Sequence, residues 1–188
     1  SSLIAPFKWR GWLDYGCGGL GDMGCHILDP VFFALKLGEA RTVTAEPVRA
    51  DDVNSSTFPK NAVVKYSFPA RGDMPPVDIY WYEDGQLPPR PEGIPPEQQM
   101  GDGKNGSLFI GDRDARLLPD ERMKGYTRPE PTLERVSGAN HYRNFLEACK
   151  GGKPAVSNFE YAGPLTEFVL LGTVALRAGR QVTYDVEN

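Results

Sequence analysis

Between residues 20 and 37 apolar side chains recur at intervals of three and four. Leu20, Met23, Ile27, Val31, Ala34 and Leu35 fall on one side of a helical projection, and Gly38 supplies a stop signal. The spacing predicts a helix over 20–37. Pro30 lies inside it, cannot bond to the carbonyl of His26, and predicts a kink there. The pattern then changes to period two. Residues 41–49 (RTVTAEPVR), 62–68 (AVVKYSF) and 77–83 (VDIYWYE) alternate as half-buried strands, with turn residues at 54–56 and 70–76. This predicts an antiparallel meander.

Residues 84–106 carry Pro88, Pro89, Pro91, Pro95 and Pro96, with glycines at both ends, and predict a loop. A loop of this length suits a lid, a partner-binding arm or a surface insertion. Short strands are predicted near 107–111 and 115–118. Residues 140–150 (NHYRNFLEACK) form an amphipathic helix with Asn140 as N-cap, and 161–178 a longer apolar one, each closed by a glycine, Gly151 and Gly179. The closing QVTYDV is a strand. One helix, several strands, then two helices and a strand is not the β-α alternation of a doubly wound sheet. The order predicts an α+β domain: an open, predominantly antiparallel (mixed) sheet with helices packed on one face.

The bulk properties narrow the function classes. The chain of 188 residues has a net charge of −4, and its lysines and arginines are scattered among acids. No basic stripe suits nucleic acid, and no apolar run approaches the roughly 20 residues that span a bilayer. The length suits a single domain, 1–188, with one large loop, and is too short for a dinucleotide-binding domain plus a substrate domain. Cys17, Cys25 and Cys149 are odd in number and widely spaced, which suits reduced thiols rather than a disulfide framework. The start, SSLIAPFKWRGW, has no signal-peptide core. The cytoplasm is the default compartment, and the periplasm applies if an export signal lies upstream.

Residues 16–21 (GCGGLG) match G-x-G-x-x-G, and a helix follows. The buried apolar strand that should precede a nucleotide fingerprint is absent, because WRGWLDY holds Arg10, Gly11 and Asp14. The glycines are better suited to close backbone packing beside a ligand or another chain segment. Behind them, Asp22 and His26 are four apart and share one helix face. Histidine titrates near neutral pH and can take an alcohol proton while hydride leaves the carbon. An acid near a helix start is also favoured by the dipole alone. Trp9, Arg10, Trp12 and Tyr15 lie just upstream, and such aromatic faces cover the C–H groups of a polyol. His141 begins a later helix and is either a site-lining residue or a partly exposed one. Asp22 and His26, with His141 far along the chain, lack a third close ligand, so no metal is expected.

The run 9–38 (WRGWLDYGCGGLGDMGCHILDPVFFALKLG) resembles the opening of the C-terminal domain in the Gfo/Idh/MocA oxidoreductase family. Gly18, Asp22, Gly24, His26 and Asp29 fill that family's G-x-x-x-D-x-G-x-H-x-x-D helix motif. GKNGSLFIGD and the stretch from His141 to Asp185 resemble its later strand and closing helices. The resemblance implies an N-terminal Rossmann domain outside this chain, holding NAD or NADP and a catalytic lysine. It implies His26 as acid/base and Asp22 as its orienting or substrate-binding partner. With that site in place, Trp9, Arg10, Trp12, Tyr15 and His141 are expected by the substrate and Gly18 and Gly19 by the cofactor. It also implies a homodimer or homotetramer through the sheet face, and a sugar, sugar derivative or polyol as substrate. On this reading the fragment alone is inactive. The alternatives are cofactor-dependent glycoside cleavage through a keto-sugar, and a non-catalytic carbohydrate-binding or oligomerisation module. The module would use Trp9, Trp12 and residues 80–82.

Overall fold

The computed structural model describes residues 7–51, 56–83, 85–92, 94–97, 99–101, 105–111, 115–118, 130 and 140–186. After a 3-10 turn, Lys8–Gly11, the chain forms α1 (Gly18–Ile27) and α2 (Asp29–Ala34). It continues through β1 (Thr42–Asp51), β2 (Lys60–Phe68), β3 (Val77–Tyr82), β4 (Ser107–Ile110) and β5 (Ala115–Leu118). It closes with α3 (His141–Cys149), α4 (Phe159–Ala178) and β6 (Val182–Asp185). β1, β2, β3 and β6 make an open antiparallel sheet in the order β3-β2-β1-β6, and β4 and β5 pair separately. The architecture is α+β, as the order of elements predicts. The predicted loop holds neither helix nor strand among its described residues.

The period-two pattern places Ala62, Val64, Tyr66 and Phe68 of β2, with Ile79 and Trp81 of β3, on the buried face. Pro47 lies in β1 beyond the pairing with β6, next to the irregularity in its pairing with β2, the kind of position where a strand proline is tolerated. The β1–β2 register shifts between Pro47 and Arg49. α4 covers the buried face with Leu165, Phe168, Val169, Gly172, Ala175 and Leu176. Asn158 caps its start by accepting from the Tyr161 N–H, and Gly179 ends it in the left-handed region at φ 61°.

The predicted helix over 20–37 is two helices. Pro30 has no N–H for the His26 carbonyl, and the helix parts at Leu28. The second piece stops at Ala34, before Gly38. Lys36 takes the left-handed conformation at φ 50°, and its ammonium lies 2.7 Å from Asp73 Oδ1. Arg71 belongs to the same junction. Its buried guanidinium donates to the carbonyls of Leu35 (2.8 Å), Pro69 (3.0 Å) and Pro75 (2.7 Å). The turn between β2 and β3 is thereby fastened to the end of α2, which sets where both helices lie on the sheet.

Candidate functional site

α1 presents three faces. Leu20, Gly24 and Leu28, four apart, are buried. Gly24 meets Val169 of α4 so closely that a β-carbon there would lie 2.7 Å from a valine methyl. At 100° per residue, Asp22 and His26 fall roughly opposite, and both are exposed. Gly19, Met23 and Ile27 form the stripe between and border a groove of about 1420 Å³.

The predicted site residues divide accordingly. The 3-10 turn delivers the Arg10 guanidinium onto the Asp22 carboxylate as a direct ion pair. Arg10 Nε also donates to the Phe7 carbonyl at 3.0 Å, and its guanidinium sits 5.6 Å from the Phe7 ring centre. The Arg10 backbone packs against Gly16, where a β-carbon would collide with it. Arg10 is thus held from several sides beside α1. Trp9 and Tyr15 are exposed, and Trp12 is half-buried and bridges to Thr57. His141 is elsewhere. Its ring lies 3.9 Å from that of Tyr142, in a second cavity of about 420 Å³ that no residue of α1 lines.

The glycines contact protein. Gly18 is buried at φ 72°, and a β-carbon there would lie 2.8 Å from the Phe58 ring. At Gly19 that position is taken by the Glu83 carboxylate, which accepts from Trp81 Nε1 at 3.1 Å. The turn over residues 16–21 follows a 3-10 turn rather than a strand. Gly18 and Gly19 open the first turn of α1, packed against Phe58 and Glu83. What α1 leaves open is its Asp22–His26 stripe.

This groove and the Asp22–His26 pair do not coincide. The groove is mainly apolar, walled by α1, α2, β3 and β4, with Asp78 and Glu83 as its carboxylates. Asp78 already accepts from Ser67 Oγ at 2.7 Å, and that bond holds its carboxyl below the usual carboxylate range. Glu83 is tied to Trp81. The exposed stripe on α1 carries the Arg10–Asp22 ion pair, with His26 one turn further along the same face.

One pair escaped sequence reasoning. Tyr161, at the start of α4, donates from its hydroxyl to Asp29 Oδ1 at 2.5 Å. They are 132 residues apart. No local pattern signals such a contact, because it depends on how α4 lies against α2.

The open antiparallel sheet is covered on one side by α4 and lacks the parallel β-α alternation of a doubly wound nucleotide-binding fold. A family profile described as the oxidoreductase family C-terminal alpha/beta domain (Gfo/Idh/MocA) matches residues 5–188. The chain belongs to this family, as its C-terminal domain. No curated protein matches it.

Proposed function

We propose that this chain is the substrate-side half of an NAD(P)-dependent oxidoreductase acting on a sugar, sugar derivative or polyol, with His26 as the acid/base. The observation that carries the reading is the shared open face of α1. Asp22 and His26 stand exposed on it, and Arg10 is fixed against Asp22. Oxidising a secondary alcohol removes a hydride from carbon and a proton from oxygen. A nicotinamide, held by a separate nucleotide-binding domain, supplies the hydride acceptor. His26 takes the proton at its free ring nitrogen and returns it in the reverse direction. Asp22, kept in place by Arg10, orients the imidazole or accepts from a substrate hydroxyl. Exposed Trp9 and Tyr15 and half-buried Trp12 offer ring faces to substrate C–H groups, and His141 adds a more distant contact.

The same proposal extends to assembly. The uncovered sheet face carries Lys65 between Asp78 (3.2 Å) and Glu46 (3.9 Å), beside the Tyr80–Tyr82 ring pair. Such a mixed polar and aromatic face suits a homodimer or homotetramer.

The test uses the full-length parent enzyme. Replacing His26 by Ala is expected to lower turnover by at least ~10²-fold, with dinucleotide affinity retained. Unchanged turnover refutes the assignment.

A further inference from the structure

We propose that Tyr161 and Asp29 act as a brace that sets the direction of His26, making both of them positioning residues for the proton-transfer step. The inference rests on the reading of His26 given above and adds two residues to it.

The helix is weak at the junction of α1 and α2. Pro30 leaves the carbonyl of His26 without its helical donor, so the chain bends at Leu28, between α1 and α2. His26 sits in the last turn before that bend. Its aim depends on the angle at the joint, and the backbone ladder is missing a bond there. Two contacts from distant parts of the chain fall on the joint itself. Ser107 Oγ of β4 donates to the carbonyl of Ile27 at 3.3 Å. The Tyr161 hydroxyl donates to Asp29 Oδ1 at 2.5 Å.

The second contact is the stronger, because its acceptor is a carboxylate and its length is short. It is also built in. The Tyr161 ring meets Phe32 edge-on at 5.6 Å between centres and Phe33 at 6.4 Å. Phe32 in turn stacks on Phe168 of α4 at 6.2 Å. Burial and the adjacent carboxylate push the phenol well above its ordinary value, so it remains a donor throughout the physiological range. A rigid aromatic lever rooted in α4 therefore grips the first residue of α2, three positions beyond His26.

A one-ångström misplacement of a reacting group can cost about 10²-fold in rate. In the full-length enzyme Tyr161→Phe and Asp29→Ala are each expected to lower kcat about tenfold or more, with KM changed less than about twofold. The double variant is expected to be no slower than the slower single variant, because both remove one brace. The second readout is independent of turnover. In protein labelled at histidine, the ring resonance of His26, assigned by its loss in His26→Gln, is expected to shift in Tyr161→Phe. It is expected to stay in place in Tyr142→Phe, on exposed α3. A kcat within twofold of wild type in both single variants, with an unmoved His26 resonance, overturns the brace. If His26→Ala leaves turnover intact while the resonance still moves in Tyr161→Phe, the acid/base assignment fails and the brace stands as a structural coupling only.

Discussion

Gly172 provides the sharpest test of how α1 is seated. It lies in the middle of α4, where glycine is ordinarily a liability and alanine should gain about 1 kcal/mol of helix propensity. The packing predicts the opposite sign. A β-carbon at Gly172 would collide with the Tyr66 hydroxyl and lie 2.7 Å from both Tyr66 Cζ and Leu20 Cδ2. Neither neighbour has room to move. Tyr66 is 0% exposed and Leu20 1% exposed, and the Tyr66 hydroxyl is directed at the Val169 carbonyl at 3.3 Å. Overpacking a filled core costs about 1–3 kcal/mol, and a collision with two immobile side chains belongs at the upper end. Set against the propensity gain, Gly172→Ala should lose about 2 kcal/mol. For a domain of this size that lowers Tm by about 4–8 °C. Calorimetry or a circular-dichroism melt measures it. The companion variant Tyr66→Phe removes the nearest colliding atom at a cost of about 1 kcal/mol or less, so Gly172→Ala should be markedly milder in that background. A Gly172→Ala protein that melts at or above wild type would refute the packing argument, because propensity would then have prevailed.

Two further predictions concern stability. Arg71→Met leaves the carbonyls of Leu35, Pro69 and Pro75 without their shared donor and should cost about 3 kcal/mol, read as a lower urea midpoint at unchanged slope. Arg71→Lys should recover little of it, since one ammonium cannot reproduce a fork spanning three acceptors. Burial pushes the Tyr66 phenol far above its ordinary value near 10. The unfolded chain therefore releases that proton first as pH rises. Stability is fully present below pH 10 and should decline above it by up to about 1.4 kcal/mol per pH unit. Tyr66→Phe should flatten that decline, and an unaltered alkaline limb would show that another group governs it.

The strands were legible because each buries one face. Alternation over 62–68 and 77–83 matches β2 and β3 to within two residues at each end. The break at Pro30 was legible from covalent chemistry alone. The helix stop was not. Gly38 looked like the terminator, but Lys36 adopts the left-handed conformation two residues earlier, with Asp73 holding its ammonium. That partner lies 37 residues on, beyond the reach of any local signal. The candidate site divides the same way. The common face of Asp22 and His26 follows from their spacing. The pairing of Arg10 with Asp22 requires the 3-10 turn to fold back on α1, which the sequence did not announce. The glycine cluster was open to two readings, a ligand or another chain segment. At Gly18 and Gly19 the neighbours are Phe58 and Glu83.

These observations bear on how the proposed site would fail. α1 has 10 residues and no side-chain cap at Cys17, too short a helix to be stable alone. Its orientation therefore comes from what it touches: Val169 at Gly24, Gly172 through Leu20, Phe58 at Gly18, and Ser107 at its last carbonyl. Every one of these contacts lies on faces other than the one bearing Asp22 and His26. The same 100° rotation per residue that exposes the polar stripe turns it away from the core, and the Arg10–Asp22 ion pair is what ties it directly to the preceding turn. Precision at the stripe is thus inherited from the rear of the helix. Substitutions in α4 that never approach substrate should be felt as lost turnover before they are felt as unfolding. Substitutions at Asp22 or His26 should leave stability nearly untouched, since their side chains support little of the core.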